Sequence, residues 1–243
     1  MSEIITGRNA VTEALKNGRE IEKIIIAEGS GGSIRKIEGK AREKRIPVHY
    51  SDRSRLDREA GSDNHQGVIA VVSDYEYCDV EDILKRAEAL GEKPLIVILD
   101  GIEDPHNLGA IIRTAECAGV HGIIIPKRRS ASVNETVAKT SAGAVEYMLC
   151  ARVTNLAREI DKLKERGLWI AACDMDGNDI YESDVAGALA IVIGSEGNGI
   201  SRLVKEKCDF TVSIPMKGAI NSLNASNAAA VLIYEAVRQR KYA

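Results

Sequence analysis

Between residues 95 and 194 the chain runs through "LIVILD", "GIIIP" and "LAIVIG", strand-length stretches in which nearly every side chain is apolar. A half-exposed strand alternates apolar and polar residues, whereas a continuous apolar run needs cover on both faces. Helical segments separate these runs and two more, "YMLCARV" (147–153) and "LWIAACD" (168–174). That pattern predicts an α/β fold with a mostly parallel sheet between helical layers. Ahead of it lie "IEKIIIA" (21–27), "PVHY" (47–50) and "GVIAVVS" (67–73), with a basic helix between the first two and a glycine loop, "EGSGGS". The polar stretch "YEYCDVEDILKRAEALGEKP" (75–94) reads as a helical connector. The expected organisation is a small N-terminal α/β domain over 1–75, a linker over 76–92 and a larger parallel-sheet domain over 93–243.

Composition restricts what such a chain does. No apolar run approaches the roughly 18 residues of a membrane helix, and the start, "MSEIITGRNAV", lacks a signal-peptide pattern. The five cysteines (Cys78, Cys117, Cys150, Cys173 and Cys208) are scattered and never form a CxxC pair, which points to a reducing cytoplasm and away from a metal site. Net charge is −3, yet residues 33–58 hold nine Lys or Arg against four acids. On that stretch Arg35, Lys36, Lys40 and Arg42 are candidates for a phosphate-binding face, although most such residues are solvated helix surface.

Three polar segments follow apolar runs, where open parallel sheets bind their ligands. In "DPHNLGAIIRTAECAGV" Asn107 is the expected N-cap of a helix closed by Gly119, and Arg113 lies between apolar helix positions. In "IVIGSEGNGIS" a lone Glu196 sits among Gly194, Gly197 and Gly199; there is neither the GxGxxG order of a dinucleotide site nor a P-loop lysine. In "IPMKGAINSLNASN" five of the seven residues from Asn221 to Asn227 are Asn or Ser. Such side chains compete with the helical backbone, and a single N-cap uses only one of them. The surplus needs another task.

Together these three segments, in this order and spacing over about residues 94–240, resemble the three motifs of the SpoU/TrmH family, 2′-O-ribose RNA methyltransferases of the knotted SPOUT superfamily. The N-terminal "ITGRNAVTEALKNGREIEKIIIAEG" and "HQGVIAVV" are similar to the RNA substrate-binding domain that precedes the catalytic domain in the branch acting on a guanosine ribose of 23S ribosomal RNA. The resemblance implies S-adenosyl-L-methionine as cofactor, ribosomal RNA as partner, a deep trefoil knot and a homodimer, with no membrane and no metal involved. It places the cofactor against Gly194, Gly197 and the backbone at Ile214, Met216 and Leu223. Asn107, Arg113, Glu196, Ser222 and Asn224 match its catalytic positions. A general-base role has been proposed for the family's arginine. A guanidinium stays protonated at neutral pH, so the physically safer role for Arg113 is to hold a phosphate and stabilise the developing alkoxide. Glu196 is expected to pair with Arg113, within the chain or across a dimer, or else to shape its loop. Two rivals remain: a tRNA guanosine 2′-O-methyltransferase, and a non-catalytic RNA-binding protein of the same fold.

Overall fold

The apolar runs fold into the strands of a parallel sheet. A computed structural model describes residues 2–61 and 63–242. By contact the chain divides into two units, Met1–Glu76 with Ser132–Tyr147, and Tyr77–Ala131 with Met148–Ala243.

The first unit contains β1 (Ser2–Thr6), α1 (Arg8–Asn17), β2 (Ile21–Ala27), α2 (Ile34–Glu43), β3 (Val48–Ser51), α3 (Arg53–Ala60) and β4 (Val68–Ser73). Its sheet order is β1-β4-β2-β3, with β4 antiparallel to β1 and β2, and β3 parallel to β2. Helix α2 buries Ile34, Ile37 and Ala41, the three- and four-residue spacing of one helical face, and turns its basic residues outward. The hydrogen bonds of His65 fix the turn into β4: Nδ1 accepts the Gly67 N–H at 2.9 Å while Nε2 lies 2.8 Å from Asp57.

Continuing along the chain, the second unit begins with α4 (Val80–Leu90), β5 (Leu95–Asp100), α5 (Pro105–Cys117) and β6 (Gly122–Pro126). Helix α6 (Glu135–Thr140) lies in the inserted segment of the first unit. There Arg19 donates to Glu146 at 2.8 Å and to Glu3 at 2.9 Å, and Tyr147 donates to Glu13 at 2.6 Å. The second unit resumes with β7 (Cys150–Val153), α7 (Leu156–Glu165), β8 (Trp169–Asp179), β9 (Leu189–Gly194), α8 (Arg202–Lys207), β10 (Phe210–Ser213) and α9 (Ala225–Tyr242). Its strand order is β10-β8-β9-β5-β6-β7, parallel throughout. Ile96, Ile98, Ile124, Ile170 and Val192 are essentially inaccessible, as strands covered on both faces require.

The structure departs from the sequence reading at several elements. The stretch around residues 76–92 is more than a connector, because α4 buries Ile83, Leu84 and Ala87. Ile83 presses against Gly122, where no side chain fits. Strand β8 continues to Asp179 through a register shift against β10, a short strand ("FTVS") too brief to signal itself. The front of "YMLCARV" is not extended; the strand begins at Cys150. Among the described residues no helix is long and apolar enough to cross a membrane.

Candidate active site

Loops leaving the carboxyl ends of β5, β9 and β10 build the site. Strands β5 and β9 are neighbours, with Asp100 opposite Gly194, so their loops emerge side by side. A carboxylate oxygen of Asp100 accepts the Ser201 N–H at 2.8 Å and ties down the far end of the β9 loop. Within that loop Ser195 and Gly199 exchange backbone hydrogen bonds of 3.1 and 2.9 Å, closing a tight turn. Gly194 has no alternative here: a Cβ on it would overlap the Gly199 carbonyl carbon and the Ile200 nitrogen, both backbone atoms. A Cβ on Gly197 would meet nothing within 4 Å. The two glycines therefore differ in kind, one required by the tight turn that brings Gly199 and Ile200 against it and the other an open stretch of backbone facing the cavity.

That cavity has a volume of about 500 Å³. Gly194, Glu196, Gly197, Ile214, Met216, Ser222 and Leu223 all line it, together with Cys173, Asp174 and Met175 from β8. Met175, Met216 and Leu223 in its lining are apolar yet exposed, Met175 at 68%. Glycine-bared backbone at one wall and exposed apolar side chains at the rim suit a flat aromatic ligand that bonds through its edge.

Beside the cavity the three polar segments meet in one hydrogen-bonded cluster. The Asn107 side-chain amide donates to Glu196 Oε1 at 3.1 Å, and Asn224 donates to Asn107 Oδ1 at 3.0 Å and also to Glu196 Oε1. Asn224 Oδ1 in turn accepts the Ser226 N–H at 2.9 Å and the Ser226 hydroxyl at 2.5 Å, so the same residue caps α9. This accounts for part of the surplus in "NSLNASN": Asn224 caps and bridges, while Asn221 and Ser222 line the cavity.

Two expectations are corrected. Asn107 is not the N-cap of α5; Asp104 is, accepting the His106 N–H at 2.8 Å with Pro105 in the first turn. Asn107 is thereby released to reach Glu196. And within the chain Glu196 pairs with the two asparagines, not with Arg113. Arg113 projects from α5 as an exposed side chain, does not line the cavity, and makes no contact with these groups. In the first unit Arg35 and Lys36 are exposed, Lys40 is half-buried, and Arg42 is engaged by Glu38.

The profile described as the SpoU rRNA Methylase family matches residues 94–234, the span holding all of these loops. The chain belongs to this family. A second profile, for RNA 2′-O ribose methyltransferase substrate binding, matches residues 4–78. The chain is thus an RNA 2′-O-ribose methyltransferase of the SpoU/TrmH type. It is 47% identical over 238 residues, 97% of this chain and 95% of the relative, to the provisionally named TrmH family tRNA/rRNA methyltransferase YacO of Bacillus subtilis (strain 168). The crystal structure of the SpoU methyltransferase AviRb from Streptomyces viridochromogenes, in complex with AdoMet, superposes with a TM-score of 0.84 at 28% identity, covering 100% of this chain and 92% of that one. The A. aeolicus TrmH/SpoU tRNA modifying enzyme, with a TM-score of 0.57 at 30% identity, covers 66% of this chain and 85% of its own.

Sequence reasoning missed the β8 wall of this SpoU-family site. "CDMDG" at a strand's carboxyl end was the available signal. Lys205 donates to Asp174 and to Asp176 at 2.8 Å and so holds that wall in place. Burial pushes the Cys173 thiol up to about 11, so it stays protonated near neutral pH and is no nucleophile. Iodoacetamide at pH 7 is accordingly expected to label exposed Cys117 well before Cys173. Peptide mass spectrometry showing Cys173 labelled first would contradict this.

Proposed function

We propose that this chain transfers a methyl group from S-adenosyl-L-methionine to the ribose 2′-hydroxyl of a guanosine in 23S ribosomal RNA. The observation that carries the reading is the convergence of Asn107, Glu196 and Asn224, from three separate loops, at the rim of the glycine-walled cavity. The residues fit the cofactor: backbone at Gly194, Gly197, Ile214, Met216 and Leu223 would hold it, and it supplies an already activated methyl. The protein's remaining work is to position the 2′-oxygen and manage its proton. Glu196 serves both asparagine amides through one oxygen, which sets the orientation of Asn107 and Asn224 toward a ribose. Ser222 adds a hydroxyl on the cavity wall. Arg113 is assigned to a phosphate of the RNA and to the developing alkoxide.

The ribosomal target is favoured over tRNA by the additional N-terminal unit: the tRNA-modifying relative covers only two thirds of this chain. Mapping ribose methylations in ribosomal RNA and tRNA with and without the gene tests the choice; a lost tRNA mark with intact ribosomal RNA would overturn it.

Two further expectations belong to this reading. Changing Arg35, Lys36, Lys40 and Arg42 to Ala should weaken RNA binding and reduce its salt slope by about two, since each lost phosphate contact removes roughly 0.7 to 0.9 and Arg42 is already paired. Cofactor affinity should stay constant, and an unchanged slope would make these residues plain surface. The enzyme should also be a homodimer. An Arg113 that does not line its own chain's cavity is accounted for by a site completed from a partner, and α9 presents Asn227 and Tyr234 outward for a two-fold interface. Light scattering that finds an active monomer of 26.3 kDa would refute it. The family's trefoil knot is part of the same proposal.

A further inference from the structure

The turn after β6 reads P-K-R-R-S, and from Cys117 to Asn134 the sequence contains no acid. Lys127, Arg128 and Arg129 are all exposed, and none of the three side chains has a hydrogen-bond or ion-pair partner among the described residues. Elsewhere on the chain Arg19, Arg55, Arg166, Arg202, Lys205 and Lys207 each hold a carboxylate. Three adjacent cations without a counter-charge repel one another, so folding gains nothing by keeping them together.

The backbone makes the arrangement more specific. Arg129 has φ +56°, in the left-handed region that disfavours residues other than glycine. The turn is nevertheless pinned on every side. Lys127 N–H donates to the Val153 carbonyl at 2.8 Å, and the Ser130 hydroxyl donates to the Pro126 carbonyl at 2.5 Å. Arg152 donates to the Lys127 carbonyl at 3.2 Å. Ala131 N–H donates to the Ile102 carbonyl at 2.7 Å, which fastens the turn to the loop leading into α5 and Asn107. Because β6 lies beside β5 in the sheet, the three cations stand at the same carboxyl edge as the Asn107–Glu196–Asn224 cluster, one strand further out.

We propose that Lys127, Arg128 and Arg129 form a rigid clamp for RNA backbone phosphates next to the target nucleotide, distinct from the basic face of α2. The clamp rests on the reading of the chain as an RNA methyltransferase. Guanidinium forks match phosphate oxygens two at a time, and a turn already held in one conformation loses little freedom when it binds. In this arrangement α2 docks the RNA, and the turn sets where the strand lies over the cavity.

The test is fluorescence anisotropy of an in-vitro transcript of large-subunit ribosomal RNA against the parent enzyme, K127A/R128A/R129A and R129G, across a salt series. The triple variant should bind at least about tenfold more weakly near physiological salt, with a salt slope lower by about two to three. R129G should lower the slope by about one contact's worth, roughly 0.7 to 0.9, while its thermal midpoint stays level or rises because glycine adopts this φ without strain. A turn with only a structural role would not show binding lost while stability is kept. Calorimetry with S-adenosyl-L-methionine should give the parent's affinity in both variants. If the parent binds the transcript and the folded variants match its slope, the clamp alone is overturned. A parent that does not bind the transcript overturns the clamp and the ribosomal RNA target reading together.

Discussion

Replacing Arg113 by lysine is expected to remove about 100- to 1,000-fold of the single-turnover rate of methyl transfer, roughly 3–4 kcal/mol of transition-state stabilisation. The structure makes this a clean experiment. Arg113 is exposed on α5 and has no hydrogen-bond or ion-pair partner among the described residues, so its charge does not support the fold. Arg113→Lys and Arg113→Ala should leave the thermal midpoint within a degree or two of the parent, as surface changes away from special features generally do. Lysine keeps the charge yet lacks the planar fork that can grip a phosphate and the 2′-oxygen together. Both variants should still bind S-adenosyl-L-methionine. Single-turnover kinetics at saturating RNA distinguish lost chemistry from lost binding. A lysine variant within about threefold of the parent, less than 1 kcal/mol in barrier, would end the catalytic assignment.

Gly194→Ala should damage the fold and the cofactor site together, whereas Gly197→Ala should spare the fold. The added methyl at 194 meets main-chain atoms of Gly199 and Ile200, which cannot rotate out of its way. Overpacking of this kind costs about 1–3 kcal/mol, which for a chain of this size lowers the midpoint by roughly 2–12 °C. The displaced loop would also misplace its backbone donors and acceptors. Losing two such hydrogen bonds is worth about 1–3 kcal/mol, or roughly 5- to 150-fold in cofactor affinity. At Gly197 a Cβ enters open space and φ is not left-handed, so its midpoint should match the parent's. Any weakening of cofactor binding there would report direct approach of the ligand to that backbone. Equal midpoints for the two variants, measured by calorimetry, would contradict this steric argument.

Much of the architecture was legible before any coordinates. Strands β2, β5, β6 and β9 fall at the bounds that their apolar runs indicate, because burial on both faces leaves little freedom for other residue types. The strands that escaped notice, β1 and β10, are short and lie at sheet edges, where one neighbour suffices and the pattern is weak. The capping of α5 was misplaced by three residues for a local reason. Asp104 and Asn107 are both good caps, and only Asp104 lies where its side chain reaches the His106 N–H.

What the sequence by itself determined was therefore the parallel sheet, the family, and the three polar segments that meet at the candidate site. Which groups in those segments touch was decided only by the tertiary structure. Asn107 and Glu196 are 89 positions apart and Asn107 and Asn224 are 117 apart, so no local spacing encodes their hydrogen bonds. The contrast between Gly194 and Gly197, which read alike in the chain, has a local cause that only the folded turn reveals. They differ because the returning backbone at Gly199–Ile200 passes against one and not the other. Arg113 likewise reads as an arginine among isoleucines, and only the packing of α5 shows that its side faces solvent while Ile111 and Ile112 face the core. Periodicity specifies which faces are buried; the long-range return of the chain specifies which neighbours a polar side chain meets there.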